Sequence, residues 1–570
     1  MFTRLILLRR GLLFGLSVLV LRLADVQLIH GGMYRRLAEQ NRLRLVPQSA
    51  PRGLILDRRG RRIATNSSAF QVTAVPQELK DRATVFARLA PLLHVSPKDL
   101  EQRFLQSRNL PFLPATIAPA IAKPVAFRVE EEGMILPGIA VEPVITRHYP
   151  YGSVAAHILG YLSQPSEDAF PVLKQYGIRP HDLVGRAGVE RELDAYLRGT
   201  PGGSLIEVDH RARQVRVLGH REPVPGQSVV LTIDIELSAL IAQAFGEQPG
   251  AAVVLEPKTG EVLAMVSVPS FDPEAFATQN MEAIQDYMDD EERTPMRDRA
   301  TTGQYAPGST AKLITGLTAL EQGIINPQTT VVCPGYLEIG NRKFHCWNRD
   351  GHGPMKLSDA LRQSCNVYFM EIGRRVGLER LRAGFSAVGF GRRTGWALGE
   401  QPGRLPTGRR FSEGEVAIFA IGQGEFLVSP LQSALMVSAV ANQGWLVEPW
   451  LVQSIGEQQL SKTSGVSLGW NKANITAIRE GMLAVVNSPD GTGMRAHSDR
   501  VVIAGKTGTA QTHLSGRTHA WFVGFCPADH PQAAFSIVAE YGGTGGELPA
   551  RIGRAICEYL VAEPARDSSP

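Results

Sequence analysis

The chain has 570 residues, of which 44% are apolar and 20% charged, and its formal net charge is +5. Those proportions are ordinary for a globular protein that buries large cores, and the length leaves room for several domains. The positive charge is mild and comes from an arginine-rich first 60 residues, so it does not indicate a nucleic-acid partner.

The first thirty residues predict a membrane anchor. Residues 11–21 carry no charge, but a span needs about 20 mostly apolar residues, so charged neighbours must be accommodated. The two arginines before this run can reach one interface, and Arg22 and Asp25 can pair at i, i+3 near the other. A cleaved signal peptide has the same basic start and short apolar core, but no convincing small-x-small cleavage site follows. We therefore expect residues 1–30 to form a cytoplasmic tail and an uncleaved single-pass anchor.

Residues 31–227 form a region with its own turn signals. Residues 51–60 are expected to form a strand closed by a turn, and His148 and His157 are expected to be structural. Since no nucleophile is arranged with a base in this region, we expect the chemistry to lie further along the chain.

A second domain is predicted over residues 228–563, before a disordered tail at 564–570. A strand at 228–233, a helix at 235–245 and a hairpin around Lys258 open it. Apolar strands at both ends with helices between them favour an α+β fold, in which a central antiparallel sheet carries helices on its faces.

The chemistry-bearing pattern begins with Ser309-Thr310-Ala311-Lys312, the only Ser-x-x-Lys in the chain. A serine hydroxyl is a poor nucleophile and needs an adjacent base. Three residues along a helix place Lys312 one turn from Ser309, where a neutral amine can take the hydroxyl proton. The lysine must be held partly neutral, by desolvation or by a second cation, and Lys506 can supply that cation.

Two further motifs follow downstream, Ser364-Cys365-Asn366 and Lys506-Thr507-Gly508-Thr509. In this order, the three elements are the signature of serine enzymes that are acylated by β-lactams. A second Lys-Thr-Gly, at Lys258, precedes the serine and lies between two apolar runs, so we interpret it as a hairpin turn. Lys506 instead follows an apolar run and precedes the strand-like residues 519–525. This arrangement predicts an edge strand that can pair with an extended substrate backbone.

The pattern extends beyond these motifs, along nearly the whole chain. The further segments are Arg52-Gly53 with Asp57-Arg58, Tyr149-Pro150, His157 to Gly160-Tyr161, Gly185, Gly188 and Glu190 with Leu197 and Gly199, Asp234, Gly260-Glu261, Gly422-Gln423-Gly424 with Pro430 and Gln432, and His519-Ala520-Trp521-Phe522. With these segments, the chain resembles the class B penicillin-binding proteins, most closely the elongation-specific penicillin-binding protein 2 type.

The resemblance implies a membrane anchor, an elongated pedestal (dimerisation-type) domain over residues 31–227 and a transpeptidase domain over 228–563. The implied reaction is that of a peptidoglycan D,D-transpeptidase in cell-wall elongation and shape maintenance. Such an enzyme attacks the D-alanyl-D-alanine end of a stem peptide, releases D-alanine, and transfers the acyl group to an amine of a neighbouring stem. The family is inhibited covalently by β-lactams, and residual carboxypeptidase activity accompanies transfer.

The family also implies a location and a partner. The anchor lies in the inner membrane, and the catalytic domain lies in the periplasm, where the serine chemistry belongs. The sequence contains no N-terminal glycosyltransferase motif, so polymerisation is assigned to a polytopic glycosyltransferase of the shape, elongation, division and sporulation (SEDS) group, within the elongation complex.

The resemblance assigns roles to four residues that act on the reacting bond. Ser309 attacks and carries the acyl group, and Lys312 is its general base. Ser364 relays a proton toward the leaving amine, and Asn366 holds the lysine and the substrate amide. Elongation-type members often carry an aspartate where Asn366 stands, so the chain departs from that subfamily here but keeps the chemistry of the wider class.

The strand that begins at Lys506 is expected to bind the substrate. Lys506 supports the electrostatics and, with Thr507 and Thr509 on either side of Gly508, binds the terminal carboxylate. The backbone N–H groups of Ser309 and Thr509 are expected to form the oxyanion hole.

Other functions share parts of this pattern. A division-specific class B protein has the same motifs. A β-lactamase of the same fold needs a deacylating base, usually a glutamate, and no Glu-x-x-x-Asn in a suitable loop lies between Asn366 and Lys506. A β-lactam sensor is expected to have further membrane spans and a cytoplasmic effector. The transpeptidase therefore remains the favoured function.

Five cysteines raise the question of a metal. Three of them lie with a histidine within 33 residues: Cys333, Cys346, His352 and Cys365. A Cys₃His set suits one structural zinc ion, although the spacing is not that of a standard finger. Some elongation-type relatives carry zinc here, with aspartates at the first two positions. The alternatives are a Cys333–Cys346 disulfide or a Cys365 that only fills the core, and Cys526 and Cys557 are expected to be core positions.

Overall fold

A computed structural model of the chain describes residues 2–34, 43–107, 114–175, 178–180, 182–208, 214–408, 411–461, 465–512 and 516–562. The tail expected at 564–570 lies outside these residues. The chain forms two compact units that alternate along the sequence. The smaller unit comprises Met1–Arg52, Ser68–Thr146 and Arg198–Gly226, and the larger comprises Gly53–Ser67, Arg147–Leu197 and Gln227–Pro570. The domain boundary placed at residue 227 stays a prediction.

The N-terminus forms the apolar helix that the sequence predicts. The helix Phe2–Ala24 continues as a π-helical turn over Asp25–Ile29. Within it, Leu8–Ile29 has a mean hydropathy of 2.0, is not buried, and is long and apolar enough to cross a membrane. The predicted pairing of Arg22 with Asp25 is confirmed, and Asp25 Oδ1 also lies 2.9 Å from His30 Nδ1.

The smaller unit contains a three-stranded sheet and, around an apolar core, a second group of strands with a set of helices. The strands Leu43–Gln48, Gly202–Val208 and Gln214–Arg221 form an antiparallel sheet. The other elements are the strand Ala115–Ile121, which pairs with the end of Arg62–Ala74, the strand Ile139–His148, the helices Arg82–Leu93, Pro97–Ser107 and Lys123–Glu131, and a 3₁₀ turn at Gly133–Ile135. Phe86, Leu89 and Phe104 lie at the centre of the core.

A five-stranded antiparallel sheet organises the larger unit. Its strands are β1 (Gly250–Leu255), β2 (Val262–Val268), β3 (Ala504–Gln511), β4 (Thr518–Cys526) and β5 (Ala533–Ala539). Their order is β2-β1-β5-β4-β3, so β3 is an edge strand as predicted. The hairpin expected around Lys258 is the β1–β2 connection, and the strand expected at 228–233 is Val229–Leu231.

Helices cover both faces of this sheet, which confirms the α+β prediction. The main helices are α1 (Ile235–Phe245), α2 (Lys312–Glu321), α3 (Asn366–Val376), α4 (Pro430–Ala441) and α5 (Leu548–Ala562). Alternate residues of β1 belong to two different apolar cores: Val254 packs with residues of α1 and α5, while Val253 packs with residues of α2, α3 and α4. The three central strands are mostly apolar, because both faces of the sheet are covered there.

Shorter elements complete the larger unit. The strands are Ile55–Leu56, which is closed by a turn as predicted, Leu162–Ser163, Val184–Gly185, Val331–Cys333, Tyr336–Ile339, Arg342–His345, Gly353–Met355, Trp445–Leu446, Val452–Ile455, Gln458–Gln459 and Val466–Ser467. The helices are Ala156–Leu159, Phe170–Lys174, Gly188–Glu192, Asp194–Leu197, Pro273–Ala277, Met281–Asp289, Leu357–Arg362, Leu378–Ala387, Glu413–Ala420 and Lys472–Asn487, with 3₁₀ turns at Gly152–Ala155, Gly308–Ala311 and Met494–Ala496.

Cys526 and Cys557 correct one expectation. Both are buried, as expected of core positions, but they also form a disulfide between the end of β4 and helix α5, with their Cα atoms 5.9 Å apart. The sequence places them 31 residues apart on two elements, and which faces of a strand and a helix meet cannot be read from that separation.

Candidate active site

Ser309 lies in a 3₁₀ turn, Gly308–Ala311, that leads directly into helix α2. It is half-buried and lines a large cleft of the larger unit. Gly308 has φ +54°, and a Cβ added there would lie 2.7 Å from the carbonyl oxygen of Thr509. Glycine is therefore required for the turn to lie against β3, and this close approach brings Ser309 to the sheet edge.

Lys312 begins helix α2, and its side chain is fully buried beneath the cleft. Its Nζ donates to the Ser364 carbonyl oxygen at 2.8 Å and to Asn366 Oδ1 at 2.7 Å, and it lies 3.4 Å from Ser364 Oγ. Burial lowers the pKa of Lys312 to about 8, because the charged amine loses its hydration.

Lys506 reaches the same serine from the other side. Its Nζ donates to Ser364 Oγ at 2.9 Å and to the Thr507 carbonyl oxygen at 2.9 Å. Burial and, second, repulsion from Lys312 hold the pKa of Lys506 well below its usual value. The second cation anticipated from the sequence is thus present, but the pKa of Lys312 is lowered by burial. The hydroxyl of Ser364 bridges the two amines.

Ser364 has an unusual backbone conformation that allows this bridge. It lies between the helix Leu357–Arg362 and α3, with φ 51°, a region that residues other than glycine seldom adopt. The conformation turns both the carbonyl and the hydroxyl of Ser364 toward Lys312. Cys365 then caps α3, since its Sγ accepts from the Tyr368 N–H at 3.5 Å.

The substrate-binding residues predicted on β3 line the cleft. Two residues that contact them were not predicted from the sequence. The hydroxyl oxygens of Thr507 and Thr492 are 2.7 Å apart, and the Thr509 carbonyl oxygen accepts from Gln423 Nε2 at 3.2 Å. The sequence singles out Gln423 only as the middle of a Gly-x-Gly segment, and it gives no signal for Thr492. Gly508 packs so tightly that a Cβ would lie 2.9 Å from Thr310 Cγ2.

The cleft has a volume of about 1910 Å³, and six of the eight predicted catalytic and substrate-binding residues line it: Ser309, Ser364, Asn366, Thr507, Gly508 and Thr509. Lys312 and Lys506 are fully buried beneath it. Lys258, in the second Lys-Thr-Gly, lies in the β1–β2 turn, where Thr259 accepts from Trp450 Nε1 at 3.0 Å. Among the described residues, Lys258 does not line the cleft.

The four predicted metal ligands converge beside this site. One ligand atom from each of Cys333, Cys346, His352 and Cys365 lies within 4.8 Å of all the others. His352 Nδ1 is 3.5 Å from Cys333 Sγ and 3.6 Å from Cys346 Sγ. Tetrahedral zinc with bonds of about 2.3 Å to sulfur and about 2.0 Å to nitrogen separates these atoms by about 3.6 Å. All three cysteines are free, so the alternative disulfide is not formed, and the residues fit zinc.

The cysteine cluster contacts the site through the backbone of Asn366. The Asn366 N–H donates to Cys346 Sγ at 3.4 Å, while the side chain of the same residue accepts from Lys312. Contact with the Cys365 thiol and backbone N–H groups lowers the pKa of Cys346, which favours the thiolate that metals bind. The position and the charge of the Cys346 sulfur therefore affect where the Asn366 backbone lies.

Comparison with known proteins identifies two domains along the chain. A model of the penicillin-binding protein transpeptidase domain matches residues 250–558, and one of the penicillin-binding protein dimerisation domain matches residues 47–231. The chain is 30% identical to the peptidoglycan D,D-transpeptidase MrdA of Acinetobacter baumannii, over 96% of this chain and 85% of that protein. It is also 30% identical to MrdA of Haemophilus influenzae, over 97% of this chain and 90% of that one.

The chain is also similar, over most of its length, to solved structures of penicillin-binding proteins. Helicobacter pylori penicillin-binding protein PBP2 in complex with MreC superposes with a TM-score of 0.78 at 27% identity, covering 91% of this chain and 99% of that one. Pseudomonas aeruginosa PBP2 in complex with WCK 5153 gives 0.69 at 27% identity, covering 92% and 100%. A chain of a peptidoglycan synthase complex that coordinates polymerization and crosslinking gives 0.72 at 30% identity, covering 99% and 100%.

Proposed function

The chain belongs to the penicillin-binding proteins that carry a transpeptidase domain, and on that premise we propose how its residues catalyse the reaction. It is a peptidoglycan D,D-transpeptidase of the elongation type. The mechanism we propose is an acyl-enzyme on Ser309. The observation that carries it is the pair of buried lysines that share the Ser364 hydroxyl beside the turn of Ser309.

In the first half of the reaction, Ser309 Oγ attacks the carbonyl carbon of the terminal D-alanyl-D-alanine bond and passes its proton to neutral Lys312. The tetrahedral intermediate collapses, the C–N bond breaks, and Ser364 relays a proton to the leaving D-alanine amine. In the second half, an amine of a neighbouring stem attacks the Ser309 ester and restores the serine. Water in place of that amine gives carboxypeptidase activity.

The neutral form of Lys312 is accessible near neutral pH. With the pKa of Lys312 lowered to about 8, roughly a tenth of the enzyme molecules carry a neutral Lys312 at pH 7. An ordinary lysine, with a pKa near 10.4, is unprotonated well below one part in a thousand at that pH. Burial therefore supplies the base without requiring a histidine or carboxylate beside Ser309.

The edge of β3 provides the electrostatic part of the site. The N–H groups of Ser309 and Thr509 stabilise the developing oxyanion, and one such donor contributes about 3 to 4 kcal/mol in comparable enzymes. Lys506, with the hydroxyls of Thr507 and Thr509, attracts the terminal carboxylate of the substrate. A β-lactam offers a carboxylate and a reactive cyclic amide to the same groups and leaves Ser309 acylated.

We propose that the N-terminal helix is a single-pass anchor in the inner membrane, with the larger unit on the periplasmic side. The helix supports an anchor by length and composition. The Arg22–Asp25 pair is costly inside a bilayer, so we assign it to contact with the membrane helices of a partner. The partner class is a SEDS-type glycosyltransferase with other elongation-complex proteins, supported by the similarity to a chain of a peptidoglycan synthase complex.

We also propose one structural zinc ion held by Cys333, Cys346, His352 and Cys365. Four protein ligands leave no open position for a catalytic water, so the metal supplies rigidity rather than chemistry at Ser309. Its support is the convergence of the four ligand atoms. The residues that benefit are Ser364 and Asn366, on either side of Cys365.

Release of D-alanine tests the proposed function. The full-length enzyme is incubated with a pentapeptide stem donor, with and without an amine acceptor, and free D-alanine and cross-linked product are quantified. We expect D-alanine release by the parent and none above background by Ser309→Ala. Release that continues in Ser309→Ala would assign the reaction to another residue.

A further inference from the structure

Strand β3 pairs with β4 on one side, and on its other side a side chain of the protein itself donates a hydrogen bond to it. Thr509 lies on that edge strand, and its carbonyl oxygen accepts from Gln423 Nε2 at 3.2 Å. Gln423 is half-buried, and both residues line the cleft that contains Ser309. A side-chain amide therefore stands where a bound peptide backbone would pair with the strand.

We propose that Gln423 is a specificity-determining residue of the site: its carboxamide covers the Thr509 carbonyl in the free enzyme and is displaced by an N–H group of the acyl donor. The inference rests on the proposed function, because it requires the donor to be bound along β3. Ligands that carry an N–H group at this position compete with Gln423, whereas ligands that lack it do not.

The pairing of a donor peptide with β3 brings one of its N–H groups to the acceptor that Gln423 occupies. When two antiparallel residues form a hydrogen-bonded pair, they exchange both N–H···O bonds. If the scissile carbonyl of the donor accepts from the Thr509 N–H, the amide N–H of the same donor residue is directed to the Thr509 carbonyl. A carbonyl oxygen has two lone pairs, but Gln423 Nε2 approaches this one from the cleft that the donor also occupies, so the donor N–H competes with it for the same position.

The backbone around Gln423 is fixed, so only its side chain has to move. The Gln423 N–H donates to the Ile418 carbonyl at 3.2 Å, and the Gly308 N–H donates to the Gly422 carbonyl at 2.9 Å. A Cβ on Gly422 would lie 2.2 Å from the Gly308 carbonyl oxygen, which shows how closely the two loops pack. Rotation of the Gln423 side chain therefore leaves the turn of Ser309 in place.

Two classes of β-lactam distinguish this competition from a general effect on the cleft. A penicillin carries an acylamino N–H next to the lactam carbonyl, as the donor peptide does, whereas a carbapenem carries a hydroxyethyl group there. Only the penicillin has to displace Gln423 to make its bond to Thr509. A neutral hydrogen bond is worth about a 2- to 10-fold change in binding, which sets the size of the effect.

The test is Gln423→Met in the full-length enzyme, since methionine keeps the length of the side chain but cannot donate. Stopped-flow acylation with a penicillin and a carbapenem gives the dissociation constant and the acylation rate constant for each. We expect the dissociation constant of the penicillin to fall about 2- to 10-fold, with that of the carbapenem and both acylation rate constants unchanged. Gln304→Met, at another half-buried glutamine of the cleft, should match the parent.

The ratio of the two dissociation constants, measured on one preparation, is independent of the fraction of folded enzyme. A ratio equal to that of the parent, or a weaker binding of the penicillin, would overturn the role of Gln423. Failure of both ligands to acylate Ser309 in the parent would instead overturn the proposed function itself.

Discussion

The two lysines of the site are both buried and share one hydroxyl. Lys312 and Lys506 are both fully buried, and each is a hydrogen-bond distance or little more from Ser364 Oγ. Two ammonium groups that contact the same hydroxyl repel each other. Within the described part of the chain, their hydrogen-bond partners at the site include no carboxylate. The pair is therefore best stabilised with one positive charge, which leaves one amine free to accept the proton of Ser309.

Replacing Lys312 tests its role as the base. Lys312→Ala should slow acylation by a β-lactam at least about 10²-fold, the usual scale for the loss of a positioned proton acceptor. Lys258→Ala, in the second Lys-Thr-Gly, is the matched control and should acylate like the parent. Stopped-flow measurement on folded samples checks both, and equal rates in the two variants would contradict the assignment.

The pKa of Lys312 also predicts a pH profile. Its folded value is lowered from 10.5 to about 8, so the neutral form that accepts the proton accumulates as the pH rises toward 8. The acylation rate should increase up to about pH 8 and then level off. A rate that continues to rise toward pH 10.5 would mean that the base has an ordinary lysine pKa.

At the residue scale, the sequence predicted the groups that carry motifs but not those that reach them from distant loops. Ser309, Lys312, Ser364 and Lys506 were predictable because their types and order specify one chemistry. Gln423 contacts Thr509 across 86 residues and Thr492 contacts Thr507 across 15, without a spacing rule that connects them. The positive φ of Ser364 likewise depends on how two helices meet.

At the scale of elements, two hairpins and the edge position of β3 were predictable, but the order of the strands in the sheet was not. The β1–β2 and β3–β4 pairs follow from apolar runs separated by turns. Strand β5 lies between the two hairpins in the sheet, although it follows both in the chain. The segment from Cys333 to Asn366 is similarly tied together in space, because its cysteines converge on His352.

Removing the metal should loosen the element that carries Ser364 and Asn366. Protein purified without added metal is expected to contain one zinc per chain by elemental analysis. His352→Ala and chelation should each lower the melting temperature and the acylation rate, because Cys346 then no longer holds the Asn366 N–H in place. Zinc well below one per chain, with a Cys333–Cys346 disulfide in the peptide map, would contradict the site.

At the scale of the whole molecule, the chain combines an apolar N-terminal helix with two compact units that alternate along the sequence. The order of anchor, intermediate region and motif-bearing region was predictable from composition and motifs. The alternation was not, because residues 53–67 and 147–197 join the larger unit through contacts with residues far along the chain. The Ile55–Leu56 strand, for example, pairs with Val229 and Val230.

The anchor makes a prediction of its own. The full-length chain should fractionate with the inner membrane, and a variant that lacks residues 1–30 should be soluble, because Leu8–Ile29 is the apolar span. Cell fractionation with N-terminal sequencing checks this. A freely soluble, N-terminally trimmed form of the full-length chain would mean that the helix is a cleaved signal peptide.

Intact-mass measurement after incubation with a β-lactam tests the central claim, that Ser309 is the acylated nucleophile, most directly. We expect one covalent adduct per chain, located by peptide mapping on the peptide that contains Ser309, and no adduct in Ser309→Ala. An adduct that persists in Ser309→Ala, or that maps to another peptide, would contradict it.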